Sequence, residues 1–128
     1  MNFVTDTHSL VWYFTDDDRL SKKALKSFEN TVKEGQIIVP TVVLAEIMFI
    51  ARKGRIGIGF AETIARINAM DNFDIAPLDI EVLKIADTIE YPLEMHDKLI
   101  VATALCYDCG LITRDDQIMK SKAVTTIW

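Results

Sequence analysis

The sequence of 128 residues contains no apolar run near the ~18 residues needed to span a membrane. Its longest such run, residues 42–51, is broken by Glu46. The opening residues, Met-Asn-Phe-Val-Thr-Asp, lack the basic and apolar regions of a secretion signal, so a cytoplasmic protein is expected. With 5 glycines and 3 prolines, it has no Pro/Gly-rich linker, repeat or low-complexity tract, and one domain over residues 1–128 is expected. Positive charge is also short. Fourteen Lys and Arg face 19 Asp and Glu, a net charge of −5, which argues against gripping a nucleic acid by phosphate neutralisation alone. It does not exclude a nuclease whose bound metal supplies positive charge locally.

Cysteine is scarce as well. Cys106 and Cys109 form a C-x-x-C pair, but they fall late in an apolar helical stretch, just before Gly110. A redox dithiol belongs at a helix N-terminus, where the dipole lowers the thiol pKa, and a structural zinc would need two further ligands at compatible spacing. Two ordinary core or boundary cysteines are expected. Half the residues are hydrophobic and 26% are charged, the profile of a folded globular chain.

What is present alternates. Residues 3–6 read as a short strand, followed by an apolar helical turn over 10–14. Ser21 is placed to cap a helix through Ala24, Leu25, Phe28 and Val32 that ends near Gly35. Residues 37–40 form a second strand, and Thr41 a cap for a helix reaching Lys53 before Gly54. A helix over 60–70, a strand over 73–76 and an Asp79-capped helix with Val82, Leu83, Ile85 and Ala86 come next. Asp97 is read as opening the apolar helix 99–106, with strands at 111–113 and 124–127. Alternating strands and helices predict an α/β fold, a three-layer α/β/α sandwich on a mainly parallel sheet. The strands are near-continuously apolar, as strands covered on both faces are.

In such a sheet, ligands bind beyond the carboxyl ends of the strands. Asp6 ends the first strand, Asp115 follows another, Asp97 opens a helix and Glu46 lies in the first turns after the second strand. Four carboxylates can therefore converge at one edge. Two of them about 5 Å apart repel by roughly 3 kcal/mol at an effective dielectric near 20, which a hard divalent cation relieves. Each acid also has a local explanation. Asp97 can be a helix N-cap, Asp6 a turn or cap, and Asp115 with Asp116 a polar turn. Glu46 is harder to explain locally, because it is the single charge among ten otherwise uncharged residues.

The sequence resembles the PIN-domain nucleases, in particular the VapC-like toxins of type II toxin–antitoxin pairs, over nearly its whole length. Asp6-Thr7-His8-Ser9-Leu10-Val11-Trp12 is similar to the opening motif of that family. Thr41-Val42-Val43-Leu44-Ala45-Glu46-Ile47 is similar to the second, His96-Asp97-Lys98-Leu99-Ile100-Val101-Ala102-Thr103-Ala104 to the third and Leu111-Ile112-Thr113-Arg114-Asp115 to the fourth. The resemblance implies a PIN-like fold and endoribonuclease activity dependent on Mg2+ or Mn2+. It further implies metal binding by Asp6, Asp97 and Asp115, with Glu46 completing the site and Thr113 in support. RNA substrate, a homodimer and a cognate antitoxin protein are implied too. The fourth motif offers both Asp115 and Asp116, and the Thr-x-Asp match favours Asp115.

Lys98 and Arg114, each beside a proposed acid, are candidates for phosphate contact or for balancing the acidic cluster. Arg52, Lys53 and Arg55 form the densest basic patch and a candidate RNA contact, which a solvated helix end explains equally well. His8 and His96 are read as capping or packing residues, and Trp12, Tyr13 and Phe14 as core. Gly54, Gly57 and Gly59 follow a helix rather than a strand, the wrong order for a phosphate loop. A receiver-type signalling module, the alternative from another class, needs paired acids after the first strand and an Asp after the third, which this sequence lacks. A PIN-like RNA-processing nuclease without a toxin role remains open.

Overall fold

The computed structural model describes residues 1–128. Five strands, β1 (Phe3–Thr5), β2 (Ile37–Pro40), β3 (Phe73–Ala76), β4 (Gly110–Ile112) and β5 (Thr126–Ile127), form one sheet in the order β3-β2-β1-β4-β5, and every pairing is parallel. The seven helices are α1 (Thr7–Phe14), α2 (Lys22–Glu34), α3 (Thr41–Arg52), α4 (Phe60–Ala69), α5 (Ile80–Asp87), α6 (Met95–Cys106) and α7 (Asp116–Ser121). This is the three-layer α/β/α sandwich expected.

All residues of β1 and β2 are buried. Successive side chains on a strand point to opposite faces, so burial of every one requires helices on both sides. α6 packs on β1 and β4, α2 on β2 and β5, and α4 on β3. Phe28, Leu10, Ile47, Ile100, Leu111 and Ile112 are fully enclosed, each stabilising the fold by about 1.5–3 kcal/mol through removal from water. Tyr13 stacks on Phe28 with ring centroids 4.4 Å apart, tying α1 to α2. Gly54, at φ +68°, turns the chain after α3 in a conformation that a side chain would strain.

The chain runs from the central β1 outward to β2 and β3, then returns to add β4 and β5 on the other side. The direction of winding thus reverses between β1 and β4, and the crevice at their carboxyl ends is where such sheets take ligands.

Several boundaries differ from the sequence reading. β1 stops at Thr5 and β4 at Ile112, leaving Asp6 and Thr113 just past the sheet edge. Thr41 is not a cap. Pro40 holds the N-cap position without a side-chain bond, and the Thr41 hydroxyl instead accepts the Leu78 N–H at 3.0 Å from a distant loop. α6 begins at Met95, so Asp97 is its third residue rather than its cap. The acidic turn at 115–116 continues into α7, a helix too short to show periodicity in sequence. Cys106 is exposed and Cys109 half-buried, both unpaired.

Candidate active site

The site grows from the ends of two neighbouring strands. Thr5 pairs with Ile112, so the next residues, Asp6 and Thr113, leave the sheet side by side. Asp6 caps α1, one carboxylate oxygen accepting the Ser9 N–H at 2.9 Å. Its other oxygen accepts the hydroxyl of fully buried Thr113 at 2.5 Å. That same hydroxyl accepts the Asp115 N–H at 3.0 Å, and Asp115 caps α7 through the Ile118 N–H at 2.9 Å. A threonine hydroxyl can donate once and still accept, and here both capacities link two acids 109 residues apart in sequence. Capping and site formation are therefore not alternatives: the cap bond holds one oxygen and aims the carboxylate.

Asp97 enters from the first turn of α6 and Glu46 from the second turn of α3. The Thr7 hydroxyl donates to Glu46 Oε1, which gives the lone charge of the apolar α3 its partner. His96 stands between the two acids, with Nε2 3.6 Å from Glu46 Oε2 and 3.4 Å from Asp97 Oδ1, and Nδ1 3.8 Å from Glu94.

Electrostatics follow from this crowding. Burial raises the Asp6 carboxyl above its ordinary range, opposed by the bonds from Ser9 and Thr113. Asp97 is pushed up to about 6, first by burial and then by the negative fields of Asp115, Glu46 and Glu94, with His96 opposing. No lysine or arginine forms an ion pair with Asp6, Glu46, Asp97 or Asp115; His96 alone reaches two of them. The starts of α1 and α6 sit here with their positive dipole ends, a partial compensation. An all-oxygen, carboxylate-rich donor set short of cations fits a hard divalent ion. At the rim, one potential ligand atom from each of Glu94, His96 and Asp97 lies within 4.8 Å of the others.

A cleft of about 430 Å³ opens over these groups, lined by all four acids. The structure places Asp115 in it and Asp116 outside, where Asp116 pairs with Lys120 at 2.8 Å across one turn of α7. Arg114 lines the cleft, whereas Lys98 does not. Arg52, Lys53 and Arg55 are exposed at the far end of α3, away from the carboxyl edge. The sequence reading missed Arg19, Thr7 and the part played by Trp12 and His96, all of which line the cleft. Thr7 and His96 are immediate neighbours of two of the acids, a signal that adjacency alone offered. Arg19 has no such signal, since a loop carries it back from the end of α1.

A family model described as PIN domain matches residues 3–123. No curated protein matches the sequence. Among solved structures, VapBC2 from Rickettsia felis bound to a promoter DNA fragment is similar with TM-score 0.73 and 13% identity, covering 98% of this chain and 97% of that one. A toxin–antitoxin complex from Klebsiella pneumoniae gives TM-score 0.70 and 22% identity over 97% and 96%. VapC20 from Mycobacterium tuberculosis, a toxin that cleaves the sarcin–ricin loop, gives 0.68 and 15% over 95% of each chain. At these identities the likeness establishes the fold.

Proposed function

The chain belongs to the PIN domain family, and on that premise we propose that it is a Mg2+- or Mn2+-dependent endoribonuclease, the toxin of a toxin–antitoxin pair. The observation that carries this reading is the meeting of Asp6, Glu46, Asp97 and Asp115 in one cleft, at the switch point of the sheet, none of them ion-paired with a lysine or arginine. Asp6, Asp97 and Asp115 hold the ion in this reading. When bound, it neutralises the carboxylates, favours ionisation of water and stabilises charge on the phosphodiester under attack. Thr113 fixes the aim of the Asp6 carboxylate and holds the backbone of Asp115 through its two hydrogen bonds. Glu46 has one oxygen engaged by Thr7, and its other, with His96 Nε2 3.6 Å away, orients the attacking water and accepts its proton in this reading.

The toxin role is supported by two of the similar structures, a toxin–antitoxin complex and a toxin that cleaves the sarcin–ricin loop. Cytoplasmic location and an antitoxin partner go with that role. A homodimer belongs to the same reading, and exposed Phe49 on α3, Ile80 on α5 and Met95 on α6 are apolar side chains that it could cover.

The decisive experiment incubates the purified chain with labelled RNA in magnesium or manganese, with and without chelator, beside Asp6→Asn. Cleavage that requires the metal and the carboxylate is expected. Cleavage surviving both chelator and substitution refutes the site. Growth arrest on expression, relieved by Asp97→Asn, tests the toxin role separately.

A further inference from the structure

The mouth of the cleft carries two arginines that the carboxylate chemistry leaves unused. Arg19 and Arg114 are the only Lys or Arg side chains lining it. Both rest on Trp12, their guanidinium carbons 5.1 and 4.7 Å from the ring centroid. Trp12 is itself 5% exposed and held by the core, with the Trp128 ring 5.9 Å away. A guanidinium over an indole is attracted to its face, and a rigid ring beneath it reduces the side-chain ordering that a ligand must otherwise impose.

The two arginines differ in what else they touch. Arg19 presents its fork to Asp17, with Nε 3.0 Å from one carboxylate oxygen and Nη2 2.7 Å from the other. That bidentate arrangement is how arginine grips a phosphate, so Asp17 stands where a phosphate group fits. Arg114 has no carboxylate within ion-pairing distance, although Asp115 follows it directly. A polyanion entering this cleft meets four carboxylates at its floor and a net charge of −5 around it. Local cations at the rim are what can hold its backbone in place.

We propose that Arg19 and Arg114, mounted together on Trp12, form a subsite for RNA phosphates flanking the scissile one, with Asp17 occupying the Arg19 fork until a phosphate displaces it. The proposal rests on the ribonuclease reading and adds the residues that grip the substrate. The Arg19–Asp17 pair is open to solvent on the arginine side, at 63%, so a phosphate of the same bidentate geometry can reach the fork and compete for it.

The test is fluorescence anisotropy of a short fluorescein-labelled single-stranded RNA, titrated with the full chain in magnesium across a series of KCl concentrations. An Asp6→Asn background keeps the RNA intact, and wild-type cleavage is assayed alongside. Arg19→Gln and Arg114→Gln should each weaken binding about tenfold and each lower the salt slope of log K by about 0.7, the loss of one phosphate contact. Both side chains are exposed, so circular dichroism should show an unchanged fold. Asp17→Asn keeps an oxygen for the Arg19 backbone N–H while removing the competing charge, and should tighten binding. Unchanged affinity and slope in either arginine variant overturns the paired subsite while leaving the ribonuclease reading intact if the wild type cuts RNA. Weaker binding by Asp17→Asn refutes the competition. A wild type that neither binds nor cuts RNA overturns both readings.

Discussion

Asp97→Asn should make the metal-free protein more stable while abolishing its activity. The wild-type carboxyl titrates at about 6, against an ordinary value of 3.8, because burial and three neighbouring acids disfavour its charge. A shift of that size corresponds to roughly 3 kcal/mol between the charged and neutral forms, and solvent screening at the open cleft reduces it to about 1–2 kcal/mol. The folded state binds this proton more tightly than the unfolded chain, so the ionised carboxylate costs stability as pH rises through the ordinary value, and the cost is complete above about 6. The amide carries no such penalty and is close in size. For a chain of this length the gain at pH 7 in chelator amounts to about 3–8 °C in Tm. It should shrink as pH falls below 6 and nearly vanish by pH 4. Saturating magnesium should reverse the order, since the ion stabilises only the variant able to bind it tightly. Scanning calorimetry or thermal circular dichroism over pH 4–7.5, with and without magnesium, reads all of these. A variant less stable than wild type in chelator at pH 7, or a gain independent of pH, refutes the account of Asp97 as an unneutralised charge.

Asp6→Asn should remove RNA cleavage while its amide oxygen still accepts the Ser9 N–H as an N-cap, whereas Asp6→Ala should lose cleavage and also about 1 kcal/mol of capping stability relative to it, read as a lower urea midpoint. Thr113→Val, nearly the same shape, leaves the Asp115 N–H and an Asp6 oxygen without their partner and should cost about 1–3 kcal/mol by denaturant unfolding, with activity falling alongside. Magnesium at a hundred times its dissociation constant should stabilise the wild type by about 2.7 kcal/mol, an effect lost in Asp115→Asn; an equal gain in that variant would place the ion elsewhere.

The parts of this molecule that could be read from sequence are those set by short-range interactions. Asp79 and Ser21 cap their helices through N–H groups three residues on, and apolar runs such as residues 37–40 mark strands covered on both faces. Asp97 shows where such reading fails. An aspartate before an apolar stretch looks like a cap, yet α6 starts two residues earlier at Met95, so its carboxylate points into the cleft and takes the field of residues from other segments. Trp12 was legible as core and is core, but its ring also supports two arginines, one of which, Arg19, had no distinguishing pattern around it.

The sequence by itself determined the α/β alternation, the membership of four acidic motifs in a recognisable order and the local caps that aim Asp6. Only the tertiary structure decided the strand order that sets β1 beside β4, and with it the bond from Thr113 to Asp6 across 107 positions. It also decided the partner of Glu46, Thr7, 39 residues away, the exclusion of Asp116 from the cleft and the placement of His96 between two acids. The division has one physical cause. Caps and periodicity depend on residues a few positions apart, whereas the repulsion, burial and hydrogen bonds of the site arise between segments that become neighbours only when the sheet closes over its core.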